Sequence, residues 1–151
     1  MNEVFRQHVE QLHPKFEALM AMTPITLATL PKNADKSGIY LLAEGGRNLY
    51  IGRSRKIRSR LRMHVGHYAG ASFAVKLARE ATGKRTSYTP KDSVKELLKD
   101  HKFAAAFQQA KNRIRGMEIR YVEESDCNRQ ALLEIYATIA LKTPYNDFDT
   151  H

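Results

Sequence analysis

Apolar positions in this chain recur with two periods, and the changes between them mark out the elements. Over residues 2–21, Val4, Phe5, Val9, Leu12, Phe16, Leu19 and Met20 follow helical spacing, interrupted near Pro14, with Asn2 placed to cap the start. A loop or short strand over residues 23–31 and a polar connector over 32–37 lead to two short apolar runs, 38–43 and 48–52. These flank Glu44-Gly45-Gly46-Arg47-Asn48, the chemistry of a β-hairpin with a loop of about five residues. A basic helix is predicted from Ser54 as N-cap to about Val65, with Gly66 as its stop. On its wheel Ile57, Leu61 and Val65 point inward and Arg55, Arg58 and Arg62 outward. Arg60 and His64, one turn apart on the other flank of the apolar stripe, are placed to line a cleft.

Helical spacing returns over 72–82, with Gly83 as a stop, and over 93–99 and 102–115; residues 117–122 alternate as a strand. The last helix opens at Ser125 or Asp126 and runs to Leu141. It breaks at Thr143-Pro144, and the following turn can fold Asn146 back toward the body. The expected fold is α/β (α+β): a small three-stranded, mainly antiparallel sheet flanked by helices. One domain is expected over the 151 residues, organised as an N-terminal helical extension (1–36), a core (37–65 and 117–147) and a helical insertion (66–116).

Charge changes the picture most. A formal net charge of +9 makes a polyanion the expected partner, because clustered Lys and Arg release condensed counterions from phosphates. Arg53, Arg55, Lys56, Arg58, Arg60 and Arg62 crowd one segment, whereas Glu118, Glu123, Glu124 and Asp126 gather near the end. Cys127 is the single cysteine, which excludes an intramolecular disulfide and a cysteine metal cluster and fits a cytoplasmic setting. The N-terminal stretch carries Glu3, Arg6 and Glu10 and has no long apolar run, so neither a signal peptide nor membrane association is expected.

Two features carry candidate chemistry. Tyr40 and Tyr50 become neighbours if the hairpin closes, and Glu134 is the one carboxylate between Gln130 and Lys142 in a helix apolar on nearly every face. A buried carboxylate costs several kcal/mol unless a cation or strong donor meets it, so Glu134 reads as a ligand. The residues Gly38-Ile39-Tyr40, Tyr50-Ile51-Gly52, Arg60 ten positions after the second tyrosine, Ala131-Leu132-Leu133-Glu134 and Pro144-Tyr145-Asn146 occur in the order of the GIY-YIG nucleases, which the chain resembles over about residues 37–65 and 117–147. His64 takes the place, four after the arginine, where members have histidine or tyrosine.

That resemblance implies a DNA endonuclease leaving 5′-phosphate and 3′-hydroxyl ends, with Tyr40, Tyr50, Arg60, His64, Glu134 and Asn146 as its functional set. Glu134 would bind one hydrated Mg²⁺ or Mn²⁺, with no small-molecule cofactor. Arg60 would grip the phosphate, Tyr40 would act as base with Tyr50 and His64 orienting water or relaying its proton, and Asn146 would fix geometry. DNA contacts are expected from Arg53, Arg55, Lys56, Arg58, Arg62, His67 and Tyr68. Tyr68, Phe73 and Tyr88 could stack unpaired bases, which favours single-stranded or structured DNA. The alternatives are a duplex-cutting restriction-type enzyme and a nucleic-acid-binding module without turnover.

Overall fold

The computed structural model describes residues 1–66, 71–84 and 93–148. Its elements are α1 (Glu3–Glu10), α2 (Leu12–Ala21), β1 (Gly38–Glu44), β2 (Arg47–Ser54), α3 (Ile57–Met63), α4 (Ser72–Thr82), α5 (Val94–Leu97), α6 (His101–Arg115), β3 (Glu118–Glu123) and α7 (Cys127–Leu141). The chain divides into two units, residues 1–60 with 117–151, and residues 61–116.

The first unit is built on an antiparallel sheet of order β2-β1-β3. Gly45 and Gly46, at φ +58° and +78°, close the hairpin, so its loop is two residues rather than the expected five; glycine takes this backbone without a Cβ clash. The freed residues extend the strands, with a bulge between Leu42 and Ala43. One sheet face presents Ile39, Leu41 and Ile51 to Leu12 and Leu19 of α2 and to Leu133 and Ala137 of α7, all buried. Each such side chain withdrawn from water contributes about 1.5–3 kcal/mol before entropy is counted.

Asn2 caps α1 through Phe5 N–H, 3.0 Å away. The N-terminal helix breaks at Gln11, not at Pro14; Pro14 lies in the first turn of α2, where its missing N–H has no intrahelical partner to lose. The acidic cluster near residue 124 is structural. Glu124 is buried against Arg129, 2.9 Å from Nε, and also accepts from Asp126 N–H. Asp126 caps α7 through Arg129 N–H at 2.9 Å.

The basic helix starts later than expected and takes its cap from elsewhere. Ser54 Oγ accepts from Lys56 N–H, whereas the Asp35 carboxylate receives Ser59 N–H at 3.1 Å and Ser59 Oγ–H at 2.9 Å. The backbone bond from Ser59 is the main cause that holds Asp35 below the usual carboxylate range. A cap supplied from 24 residues away leaves no local sequence signal.

In the second unit α4 packs along α6, burying Phe73, Leu77, Phe103, Phe107 and Ile114. Gly83, at φ +70°, ends α4 in the left-handed conformation. Phe73 is fully buried, which removes it as the stacking platform expected from the sequence, while Tyr68 and Tyr88 lie outside the described residues. No helix among the described residues is long and apolar enough to cross a membrane.

Candidate active site

The hairpin register explains both motif glycines. Tyr40 pairs with Gly52 across β1 and β2, and a Cβ at position 52 would collide with the Tyr40 ring and hydroxyl. Gly38 lies equally close to the β3 backbone at Val122. The glycine of Tyr-Ile-Gly is therefore the seat of the Gly-Ile-Tyr tyrosine. Tyr40 is 1% exposed, and its ring centroid is 6.5 Å from that of half-buried Tyr50.

Arg60, half-buried in α3, hydrogen-bonds the Tyr40 hydroxyl. Burial drives the Tyr40 phenol far above its usual range, and the neighbouring Tyr50 raises it further. Arg60 opposes this by charge and hydrogen bond, and the Glu134 charge adds to the rise. Tyr40 thus keeps its proton at neutral pH; service as a base, the role expected for it, requires positive charge at Oη beyond that of Arg60.

Glu134 rises from α7 to β2, where its Oε2 accepts from Arg53 Nε at 2.8 Å. Oε1 accepts no hydrogen bond among the described residues. Burial raises the carboxyl group's pKa, and Arg53 only partly offsets it, so a second cation at the open oxygen would relieve a charge that the fold holds at a cost. No group of three or more His, Cys, Asp and Glu able to hold a metal occurs among the described residues. Hydrated Mg²⁺ takes one or two protein carboxylates together with substrate phosphates, and Glu134 fits that demand. Arg53, expected as a DNA contact, is thus also the ion-pair partner of the candidate ligand.

Asn146 reaches the same strand. Its Oδ1 accepts Ile51 N–H at 2.8 Å and Thr143 Oγ–H at 2.7 Å, and its Nδ2 donates to Ile51 O at 2.7 Å. One side-chain amide therefore satisfies the outer edge of β2 at the central residue of Tyr-Ile-Gly, and Tyr145 N–H adds a bond to Leu49 O at 3.3 Å. The αL residue Lys142 (φ 52°) ends α7 and turns the chain back for this contact.

The remaining expectations divide. Arg55, Lys56 and Arg62 are exposed, and Arg58 is partly buried with its Nε unpartnered among the described residues. His64 belongs to the second unit, 1% exposed, with its ring edge-on to Phe73 at 6.4 Å. Its N–H bonds Leu61 O at 3.2 Å. His67 lies outside the described residues, as does Tyr68. Sequence reasoning missed Gly52 as the seat of Tyr40 and Asp35 as the cap of the Arg60 helix; an unbroken two-residue-turn register would set Tyr40 opposite Ile51, and only the bulge after Leu42 brings Gly52 there. Comparison with family models, with curated proteins and with solved structures returns no match to this chain.

Proposed function

We propose that the chain is a metal-dependent DNA endonuclease of the GIY-YIG type, leaving 5′-phosphate and 3′-hydroxyl ends. What supports it most is the fastening of separate motif residues onto one hairpin: Arg60 onto Tyr40, Tyr40 onto Gly52, Glu134 onto Arg53 and Asn146 onto Ile51. Packing alone gives no reason for an arginine on a buried phenol and a half-buried carboxylate on the next strand.

In this reading Arg60 donates to the non-bridging phosphate oxygens, where charge grows in the transition state. Tyr40 and Tyr50 hold the attacking water, and the protonated Tyr40 hydroxyl orients it. Water oxygen bonds to phosphorus as the P–O3′ bond breaks; the water's proton leaves to solvent by way of the phenols, and the departing 3′ oxygen takes up a proton from solvent. Glu134 Oε1 would hold Mg²⁺ or Mn²⁺, which would supply positive charge to the phosphate and the leaving oxygen. Asn146 keeps Ile51, and with it Tyr50 and Gly52, in register.

The test is cleavage of end-labelled duplex, single-stranded and branched DNA in Mg²⁺, Mn²⁺ or chelator, comparing the wild type with Glu134→Gln. Cutting that requires both metal and Glu134 is expected. Cutting that survives chelator or the substitution would sink the proposal, and tight binding without cutting on any substrate would make the chain a binding module.

A further inference from the structure

The charge of the protein is segregated between its two units. Residues 61–116 hold twelve Lys and Arg against four Asp and Glu, a net +8, whereas residues 1–60 and 117–151 hold thirteen against twelve, a net +1. The unit with the candidate chemistry is almost neutral. The helical unit carries nearly all of the long-range field that draws a polyanion.

Within that unit α6 is the element best suited to use the field. Its 15 residues contain no Asp or Glu. At about 100° per residue, Phe103, Phe107, Ala110 and Ile114 form one wall, buried in the unit. Lys102, Gln109 and Arg113, all exposed, fall within about 40° of one another on the solvent side, with Ala105 and Ala106 between them as a low floor. Lys102 and Gln109 line an open cavity of about 720 Å³ with Ala81, Thr82 and Lys84. Asp100, the one carboxylate lining it among the described residues, is engaged in capping α6 through Lys102 N–H at 3.1 Å.

The helix is also firmly held. Phe103 and Phe107 stack at 6.4 Å, Lys111 lies 4.7 Å above the Phe107 ring and donates to Gly66 O at 3.2 Å, and Arg115 donates to Val65 O at 3.0 Å. A rigid helix with an amide between two cations matches a DNA groove. Lys102 and Arg113 stand about 16 Å apart along the axis, enough to reach phosphates on both walls of a major groove about 12 Å wide. Gln109 would then face the base edges. The aromatic side chains of this unit among the described residues, Phe73, Phe103 and Phe107, are all buried, so none of these three offers a stacking platform for unpaired bases.

We infer that the solvent face of α6, centred on Lys102, Gln109 and Arg113, is the duplex-DNA-binding surface of the protein; this rests on the nuclease reading only for the choice of DNA as the polyanion. The test is fluorescence anisotropy with a labelled duplex and its single strand, in chelator, between about 50 and 200 mM salt, using the full chain. Lys102→Gln/Gln109→Ala/Arg113→Gln is checked first for the wild-type circular dichroism and melting temperature. Its duplex affinity should fall about ten-fold or more, with the slope of log K against log salt reduced by about 2. Lys102→Arg/Arg113→Lys should bind as the wild type does.

An α6 triple variant that binds duplex within about two-fold of wild type, while Arg55→Gln/Arg58→Gln/Arg62→Gln loses binding, would overturn the assignment. A single strand bound more tightly than the duplex, with an equal loss in the triple variant, would overturn the choice of duplex. Because chelator removes cleavage from the assay, α6-dependent binding by a chain that never cuts supports this surface while ending the nuclease reading. An enzyme that cuts but binds independently of α6 ends this inference alone.

Discussion

The sheet unit and the helical unit solve opposite electrostatic problems. In the sheet unit the cations that matter are already engaged: Arg53 with Glu134, Arg129 with Glu124, Arg60 with the Tyr40 phenol. Local pairing fixes geometry at the cost of net field, which suits a site where one phosphate must be held in one orientation. In the helical unit twelve cations face four carboxylates, and excess charge supplies salt-sensitive attraction with little demand on the position of any one side chain. The difference teaches that the overall +9 is a poor guide to where chemistry sits.

The sharpest way to break this comparison is to separate cutting from binding. Glu134→Gln should reduce cleavage in Mg²⁺ to background while DNA affinity in chelator stays within about two-fold of wild type; a parallel loss of affinity would place binding in the sheet unit. Next in size is Gly52→Ala, whose new Cβ must push the Tyr40 ring aside. A loss of about 2 kcal/mol of stability and of roughly 10²-fold in cleavage is expected by urea titration and initial rates. Unchanged rates would show that the Tyr40 position does not matter.

Asn146→Ala leaves Ile51 N–H and C=O without their partner, with an expected cost of about 1–3 kcal/mol in urea, and its cleavage should fall while salt-dependent binding is kept. The smallest effect has the most telling sign. Burial raises the Glu134 pKa above the value it has unfolded, so its charged form opposes folding, and stability is gained as pH falls through the folded pKa. Glu134→Gln should therefore melt about 1–3 °C higher than wild type at pH 7, with the gap closing as the wild-type carboxyl protonates. Asp35 carries the opposite sign: its pKa is lowered, so its contribution is present above the unfolded carboxylate pKa near 4 and is lost on acidification through the folded pKa. Asp35→Asn should accordingly melt below wild type at neutral pH and converge with it in acid.

Much of the architecture was legible in the chain itself, because it depends on interactions within a few residues. Periodicity marked α4 and its Gly83 stop, Asn2 as a cap, the last helix as opening at Ser125 or Asp126, and the three strands to within about two residues, the usual uncertainty of element ends. Gly45-Gly46 announced the hairpin, although Glu44 and Arg47 were read as loop when they are strand. In-order motifs pointed to Tyr40, Tyr50, Arg60, Glu134 and Asn146, each of which lies on or reaches the sheet unit.

Tertiary structure alone decided what long-range approach controls. Asp35 caps α3 from the far side of the hairpin, Gly52 seats Tyr40 because β1 and β2 pair in one register, and Asn146 replaces a missing strand at the edge of β2. The burial of the His64 ring edge-on to Phe73 is likewise a product of the fold. Sequence carries the local terms of the free energy, propensity, capping and amphipathic pattern, whereas desolvation and pairing exist only once distant segments meet; the chain named its charged and aromatic residues, and the fold decided which would be buried, paired or left facing water.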